Sequence, residues 1–242
     1  MTKIITILFL FLSLSVFSQQ KNGIVFTFSF DDKPLILNEF RENSIKDMKY
    51  CICQSQYFIS NIKLINKDGS EQYFSNKIHY VDAEIPSTLQ WFVDDNFSLE
   101  NVEYLTFTFG FDSISNRSYM FKNPPENLMF WPDYLGGGYH YMKTNIRFVD
   151  NFNESYVFNC HIGRGQVYDE ENEPISYIDN DFSVTIPIKT TKINDNDFAI
   201  INLNLAKLFD SHSALELIDL RGIMNNQKAM KMFSEELKNA FE

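Results

Sequence analysis

The side chains in this sequence with the most distinctive chemistry are metal donors. There are four histidines, His79, His140, His161 and His212, three cysteines, Cys51, Cys53 and Cys160, and eight methionines. Imidazole, thiolate and thioether together favour copper or zinc, and among the common divalent ions copper binds such donors most tightly. His140 follows a glycine-rich stretch, and His161 ends a predicted strand just before Ile162-Gly163, a corner where ligands commonly sit. His79 stands in a strand and His212 in a polar turn, where structural roles are the plainer reading. Hydrolase, kinase and zinc-finger patterns are absent: the sequence has no Gly-x-Ser-x-Gly, no phosphate-binding Gly-rich loop, no His-Glu-x-x-His and no Cys-x-x-Cys. It also lacks a Cys-x-x-Cys-His haem site. A binding protein without turnover of its own is therefore expected, with copper as the first candidate ion.

The stretch around which these donors gather is residues 127–141, Asn-Leu-Met-Phe-Trp-Pro-Asp-Tyr-Leu-Gly-Gly-Gly-Tyr-His-Tyr. It brings one of two tryptophans, Trp131, next to a proline, three consecutive glycines and one of four histidines. Proline fixes its own backbone angle and lacks a donor, while glycine enters conformations closed to other residues. The stretch reads as a shaped loop between strands. Trp131 at its apex most plainly plugs the top of the fold, as large aromatics at such corners do. The alternative is an indole exposed beside the imidazole.

The elements that must position this loop are strands. From Gly23 to Phe30 the pattern Val-Phe-Thr-Phe-Ser-Phe alternates aromatic with small polar residues at the period of a half-buried strand. Asp31-Asp32-Lys33-Pro34 turns the chain, and further strands are expected at 48–53, 57–65, 71–74, 78–82, 87–93, 102–109, 139–149, 155–161, 181–188 and 198–203. Asp68-Gly69 between apolar runs marks a hairpin. Residues 112–126 and the acidic stretch 169–181 read as loops. Helix is confined to a turn or two at 203–209 and an amphipathic segment at 226–241, whose stripe is Ala229, Met232, Phe233, Leu237, Ala240 and Phe241. The expected class is all-β: an antiparallel β-sandwich with long loops and a short C-terminal helix.

Composition narrows the setting. Lys3, an apolar run from Ile4 to Val16 and a small residue at Ser18 define a secretory leader, residues 1–18, leaving residues 19–242 as a single expected domain. The run is shorter than the ~20 residues that span a bilayer, so no membrane span is expected. Export to the periplasm, or secretion to the cell surface, follows. Loss of Lys3 with the leader takes the net charge from −11 to −12. That balance, without any run of basic residues, disfavours nucleic acid. The three cysteines leave at least one free thiol; one of Cys51 and Cys53 could bridge to Cys160, or all three could stay buried and reduced. The sequence gives no indication of oligomeric state.

A series of segments in one order resembles the MbnP family of exported bacterial copper-binding proteins. It runs through Tyr57-Phe-Ile-Ser-Asn-Ile-Lys-Leu64 with Asp68-Gly69, Tyr80-Val-Asp82, Phe107-Thr-Phe-Gly-Phe-Asp112 with Asn116, and Asn127-Leu-Met-Phe-Trp131 with Gly138-Tyr139. It continues through Phe158-Asn-Cys-His-Ile-Gly163, Leu203-Asn-Leu205 and Leu208-Phe-Asp210. The resemblance implies a secreted β-rich domain with a surface copper site, built from histidines and a tryptophan oxidised to kynurenine by a partner dihaem enzyme of the MauG type. Trp131 matches the loop tryptophan and His161 the histidine before glycine. Where copper-binding members place a histidine two residues after that tryptophan, this chain has Asp133, so either Asp133, His140 or a thiol substitutes or the site is vestigial. The expected site is thus Trp131 with His161, His140, Asp133 and His79 as candidate ligands. The alternative is a metal-free sandwich that recognises a peptide, glycan or protein through its aromatic loop.

Overall fold

The computed structural model describes residues 22–31, 33–43, 48–75, 77–92, 98–150, 152–171, 173–194, 196–209, 211–220 and 222–242. The expected leader, 1–18, and Asp32 of the first turn lie outside them. Strands in chain order are β1 (Gly23–Phe30), β2 (Lys33–Pro34), β3 (Phe40–Asn43), β4 (Met48–Asn66), β5 (Glu71–Ser75), β6 (His79–Asp82), β7 (Gln90–Phe92) and β8 (Val102–Phe109). They continue as β9 (Met142–Val149), β10 (Ser155–Ile162), β11 (Gly165–Tyr168), β12 (Pro174–Ile178), β13 (Phe182–Pro187), β14 (Thr190–Ile193) and β15 (Asn196–Asn204). Two helices follow, α1 (Ala214–Leu220) and α2 (Gln227–Ala240).

The strands form a sandwich. One sheet has the order β14-β15-β1-β2 with β7 also on β1; the larger has β10-β9-β4-β8-β13, with β3, β5 and β6 on β4. Strand pairing is antiparallel except between β1 and β15, which run parallel. The alternation seen in β1 places Ile24, Phe26, Phe28 and Phe30 in the core. Across the sandwich Phe28 meets Tyr57 with ring centroids 5.7 Å apart, and Phe30 meets Tyr50 at 6.0 Å.

β4 is one strand of 19 residues where two short ones were expected. The polar residues Gln54-Ser55-Gln56 read as a break, but the chain passes through them extended because each buried group finds a partner. Ser55 Oγ lies 3.0 Å from Thr144 Oγ1, and Gln56 donates to Asp82 at 2.9 Å. Bulges at Ile52/Gln54 and between Ser60 and Lys63 bend the strand as it changes partner from β9 to β8. The acidic stretch also differs from expectation: β12 pairs with β11, and Asp169 Oδ1 closes the turn by accepting from the amides of Glu171 and Glu173.

The C-terminal helix begins at Asn226, whose side chain accepts from the Ala229 amide at 3.0 Å. Its buried stripe is Ala229, Met230, Phe233, Leu237 and Ala240, whereas Met232 faces outward. Phe241 then drives into the core against Phe107 at 5.1 Å, Tyr57 at 5.7 Å and Phe109 at 6.1 Å. The next residue, Glu242, exchanges backbone hydrogen bonds with Asn202 of β15. Truncating Phe241 leaves a void that three rings cannot fill, so Phe241→Ala is expected to lower unfolding stability by about 3 kcal/mol or more. Urea denaturation checks this, and a loss under about 1 kcal/mol would show that the terminus is not part of the core.

Candidate metal centre

The loop from Met129 to His140 closes on itself as a short ladder. Phe130 bridges Tyr139, the Trp131 amide donates to Gly138 O at 2.9 Å, and the His140 amide donates to Met129 O at 2.7 Å. The tip turns through Gly136, Gly137 and Gly138, with φ of 108°, 66° and 86°. Side chains are also excluded by space: a Cβ on Gly138 would overlap the Asn116 amide, whose Oδ1 accepts from the Tyr139 amide at 2.9 Å. Arg164 straps the tip from outside, donating to Gly136 O at 2.9 Å and to Asp179 at 3.0 Å.

Trp131 is fully buried, as the plug reading expects and unlike the exposed-indole alternative. Its ring lies against Gly163, where a Cβ would come within 2.7 Å of it, and its Nε1 donates to Leu135 O at 3.0 Å. The tryptophan is therefore a plug at the end of the sandwich. It is not isolated from donors, however. The His140 ring meets it edge-on at 4.7 Å, and the His161 ring meets His140 edge-on at 5.2 Å. Two imidazoles bound to one ion through bonds of about 2.0 Å have ring centroids no more than roughly 6 Å apart. The observed pair satisfies that limit.

The hydrogen bonds of each ring fix which nitrogen is free. His140 Nδ1 lies 3.0 Å from Met129 O, an acceptor, so Nδ1 carries the proton. Nε2 is then a lone pair; it is buried and has no partner. An imidazole oriented through Nδ1–H to a carbonyl, with Nε2 bare, is the arrangement that metal-bound histidines adopt. On β10, His161 Nε2 lies 2.7 Å from Asn145 Oδ1, and Asn145 in turn donates to Gln54 Oε1 at 3.1 Å. The residues present thus fit a copper or zinc ion to the extent of two neutral imidazoles, one of them with an otherwise unexplained buried acceptor.

The other expected ligands are placed elsewhere. Asp133 is exposed and both its oxygens are occupied, Oδ1 by Ser118 and Oδ2 by Tyr119. His79 stands in a different stack, 4.5 Å from the Trp91 ring and 5.0 Å from Phe26, with Nε2 on Thr88 O. His212 pairs with Glu236 at 2.9 Å and ties the segment before α1 to α2. All three cysteines are free thiols, with Cys51 and Cys160 buried and Cys53 half-buried. Burial pushes the Cys160 thiol well above its ordinary range. Among the described residues no three His, Cys, Asp or Glu side chains assemble as a metal site. Asn145 could have been found from the sequence once the β9/β10 register was assigned, since its cross-strand partner Asn159 is two residues from His161.

Burial dominates the electrostatics. Desolvation lowers the pKa of His140 to about 3, with the neighbouring His161 opposing its charge as well. His161 is lowered to about 4 by burial and by Lys143, and His79 to about 4 by burial. At neutral pH all three rings are uncharged, the form that binds metals.

The tryptophan and the pair of imidazoles together seal one end of the β-sandwich. The MbnP family profile matches residues 19–230, and the chain belongs to that family. Its fold is similar to that of MbnP from Methylosinus trichosporium, with a TM-score of 0.51 and 13% identity, over 80% of this chain and 78% of that one. No curated protein matches the sequence significantly.

A pH dependence follows from the buried rings. Their folded pKa values lie below the unfolded value of about 6.5, so the unfolded chain takes up protons first as pH falls. The stability they hold is complete above pH ~6.5 and is lost as pH falls towards about 4, at up to ~1.4 kcal/mol per pH unit for each ring. The urea midpoint of the metal-free protein should fall steadily between pH 6.5 and 4.5. A flat profile would contradict the buried, neutral assignment.

Proposed function

We propose that this chain is an exported copper-binding protein without catalytic turnover, holding its ion with His140 and His161 beside Trp131. The observation that carries the reading is His140 Nε2: buried, unpartnered, and oriented by the bond from Nδ1–H to Met129 O. A buried acceptor left unsatisfied costs about 1–3 kcal/mol, and an ion would relieve that cost. Family membership supports the same reading: the MbnP profile matches residues 19–230, and the resemblance to that family implies an exported copper-binding domain. No helix among the described residues is long and apolar enough to cross a membrane, which is compatible with a periplasmic or secreted protein.

By the same resemblance, Trp131 is proposed as the residue on which a MauG-like dihaem partner acts. Full burial means that such a partner removes electrons at a distance rather than by touching the indole. The outer face of the loop supplies a surface for contact: Leu128, Tyr134 and Tyr119 are 67%, 74% and 61% exposed. That same exposure favours the second reading, a metal-free module that recognises a protein or peptide, with Leu128 and Tyr134 as the contact residues in place of Trp131.

Copper titration against a competing chelator separates the two. His140→Gln and His161→Gln are each expected to weaken copper binding at least ~100-fold while the fold, followed by circular dichroism, persists. Copper affinity equal to wild type in both variants would overturn the copper reading and leave partner recognition as the function.

A further inference from the structure

Two histidines are a thin donor set for an ion, and the described acidic and thiol groups do not complete it. A third donor is nevertheless in place. The Sδ atom of Met224 lies 3.4 Å from His161 Nδ1. Met224 belongs to the short segment between α1 and α2, where its side chain packs against the hydrophobic core and the backbone is tied down on either side. Gly222 bridges Asn159 of β10, Ile223 is buried, and the Asn226 amide donates to Ile223 O at 3.0 Å as α2 begins. Met224 itself is only half-buried.

The protons on His161 give this contact its meaning. Asn145 donates through Nδ2 to Gln54, so its Oδ1 is the atom facing His161 Nε2, and Nε2 must carry the hydrogen. In the neutral ring Nδ1 is then a lone pair. A thioether has no hydrogen to donate. Two lone-pair donors therefore face each other across 3.4 Å. A metal ion bound by both atoms would satisfy the two lone pairs together. With bonds of about 2.0 Å to nitrogen and about 2.3 Å to sulfur, a 3.4 Å edge corresponds to an angle of roughly 105° at the metal, close to tetrahedral.

Building on the copper reading above, we propose that Met224 is the third ligand of the ion, binding through its thioether opposite His161 Nδ1, with Asn145 as the positioning residue that holds His161 in the required tautomer. A thioether is soft and uncharged, so it adds affinity for Cu(I) and little for Zn(II). The donor comes from the segment that leads into α2, so the ion would also clip the C-terminal helix to β10.

Met224→Leu conserves volume and apolar character while deleting the donor. Cu(I) and Zn(II) affinities are measured by chelator competition on the full exported chain, with X-ray absorption on the Cu(I)-loaded protein. Met224→Leu should weaken Cu(I) by ~10- to 100-fold, change Zn(II) affinity by less than ~3-fold, and leave the melting temperature of the metal-free protein unaltered. Wild-type Cu(I) protein should show a sulfur neighbour near ~2.3 Å that the variant lacks. A nitrogen- and oxygen-only shell in wild type, with copper binding still abolished by His161→Gln, would overturn the Met224 assignment and leave the two-histidine reading intact. A sulfur neighbour that survives Met224→Leu would overturn it as well. Copper affinity unchanged in His140→Gln and His161→Gln would instead remove the reading on which the assignment rests.

Discussion

One carbonyl governs this end of the molecule. Met129 O accepts from the His140 amide at 2.7 Å and from His140 Nδ1 at 3.0 Å, so one acceptor both closes the loop and sets the imidazole tautomer. If that carbonyl were turned away, the ladder from Phe130 to Tyr139 would open and Nε2 would be free to take the proton. The triple glycine, the Asn116 amide and the Arg164 strap all serve to bring the loop back so that the two bonds can form. Loop closure and the setting of the imidazole tautomer are thus one event.

The rest of the sandwich matters to the site chiefly through two strands. β9 begins two residues after His140 and carries Asn145, while β10 ends at Ile162 and carries His161 one residue earlier. Their antiparallel register places Asn145 where it can hold His161 Nε2, and β4 on the other side of β9 supplies Gln54 to orient Asn145. A line of polar side chains across three strands therefore determines which imidazole nitrogen faces Met224. The indole beneath Gly163 keeps that corner dry, which lowers both histidine pKa values and preserves their neutral form.

Much of the frame was legible from residue pattern. The limits of β8 follow from its alternating residues, and β1, β10 and α2 fall within a residue or two of expectation, because half-buried strands and one-sided helices impose a period on the sequence. β4 was not legible as one strand, since the satisfaction of Ser55 and Gln56 depends on Thr144 and Asp82, residues distant in the chain. At the site, Trp131, His140 and His161 were legible by type and by family likeness, and the structure brings those three together. Asp133 was drawn in by its place after the tryptophan and His79 by its type alone, whereas tertiary hydrogen bonds and ring stacking commit each elsewhere. Met224 could not be found from spacing, because it reaches His161 across 63 residues through the turn before α2.

The central claim is about protons on two rings, and nitrogen-15 NMR of the histidine side chains reads them directly in the metal-free protein at pH 7 and again after Cu(I) is added. The account predicts a neutral His140 protonated at Nδ1 and a neutral His161 protonated at Nε2, with copper shifting His140 Nε2 and His161 Nδ1 and leaving His79 unmoved. A His140 ring protonated at Nε2, or no response of either ring to copper, would contradict it.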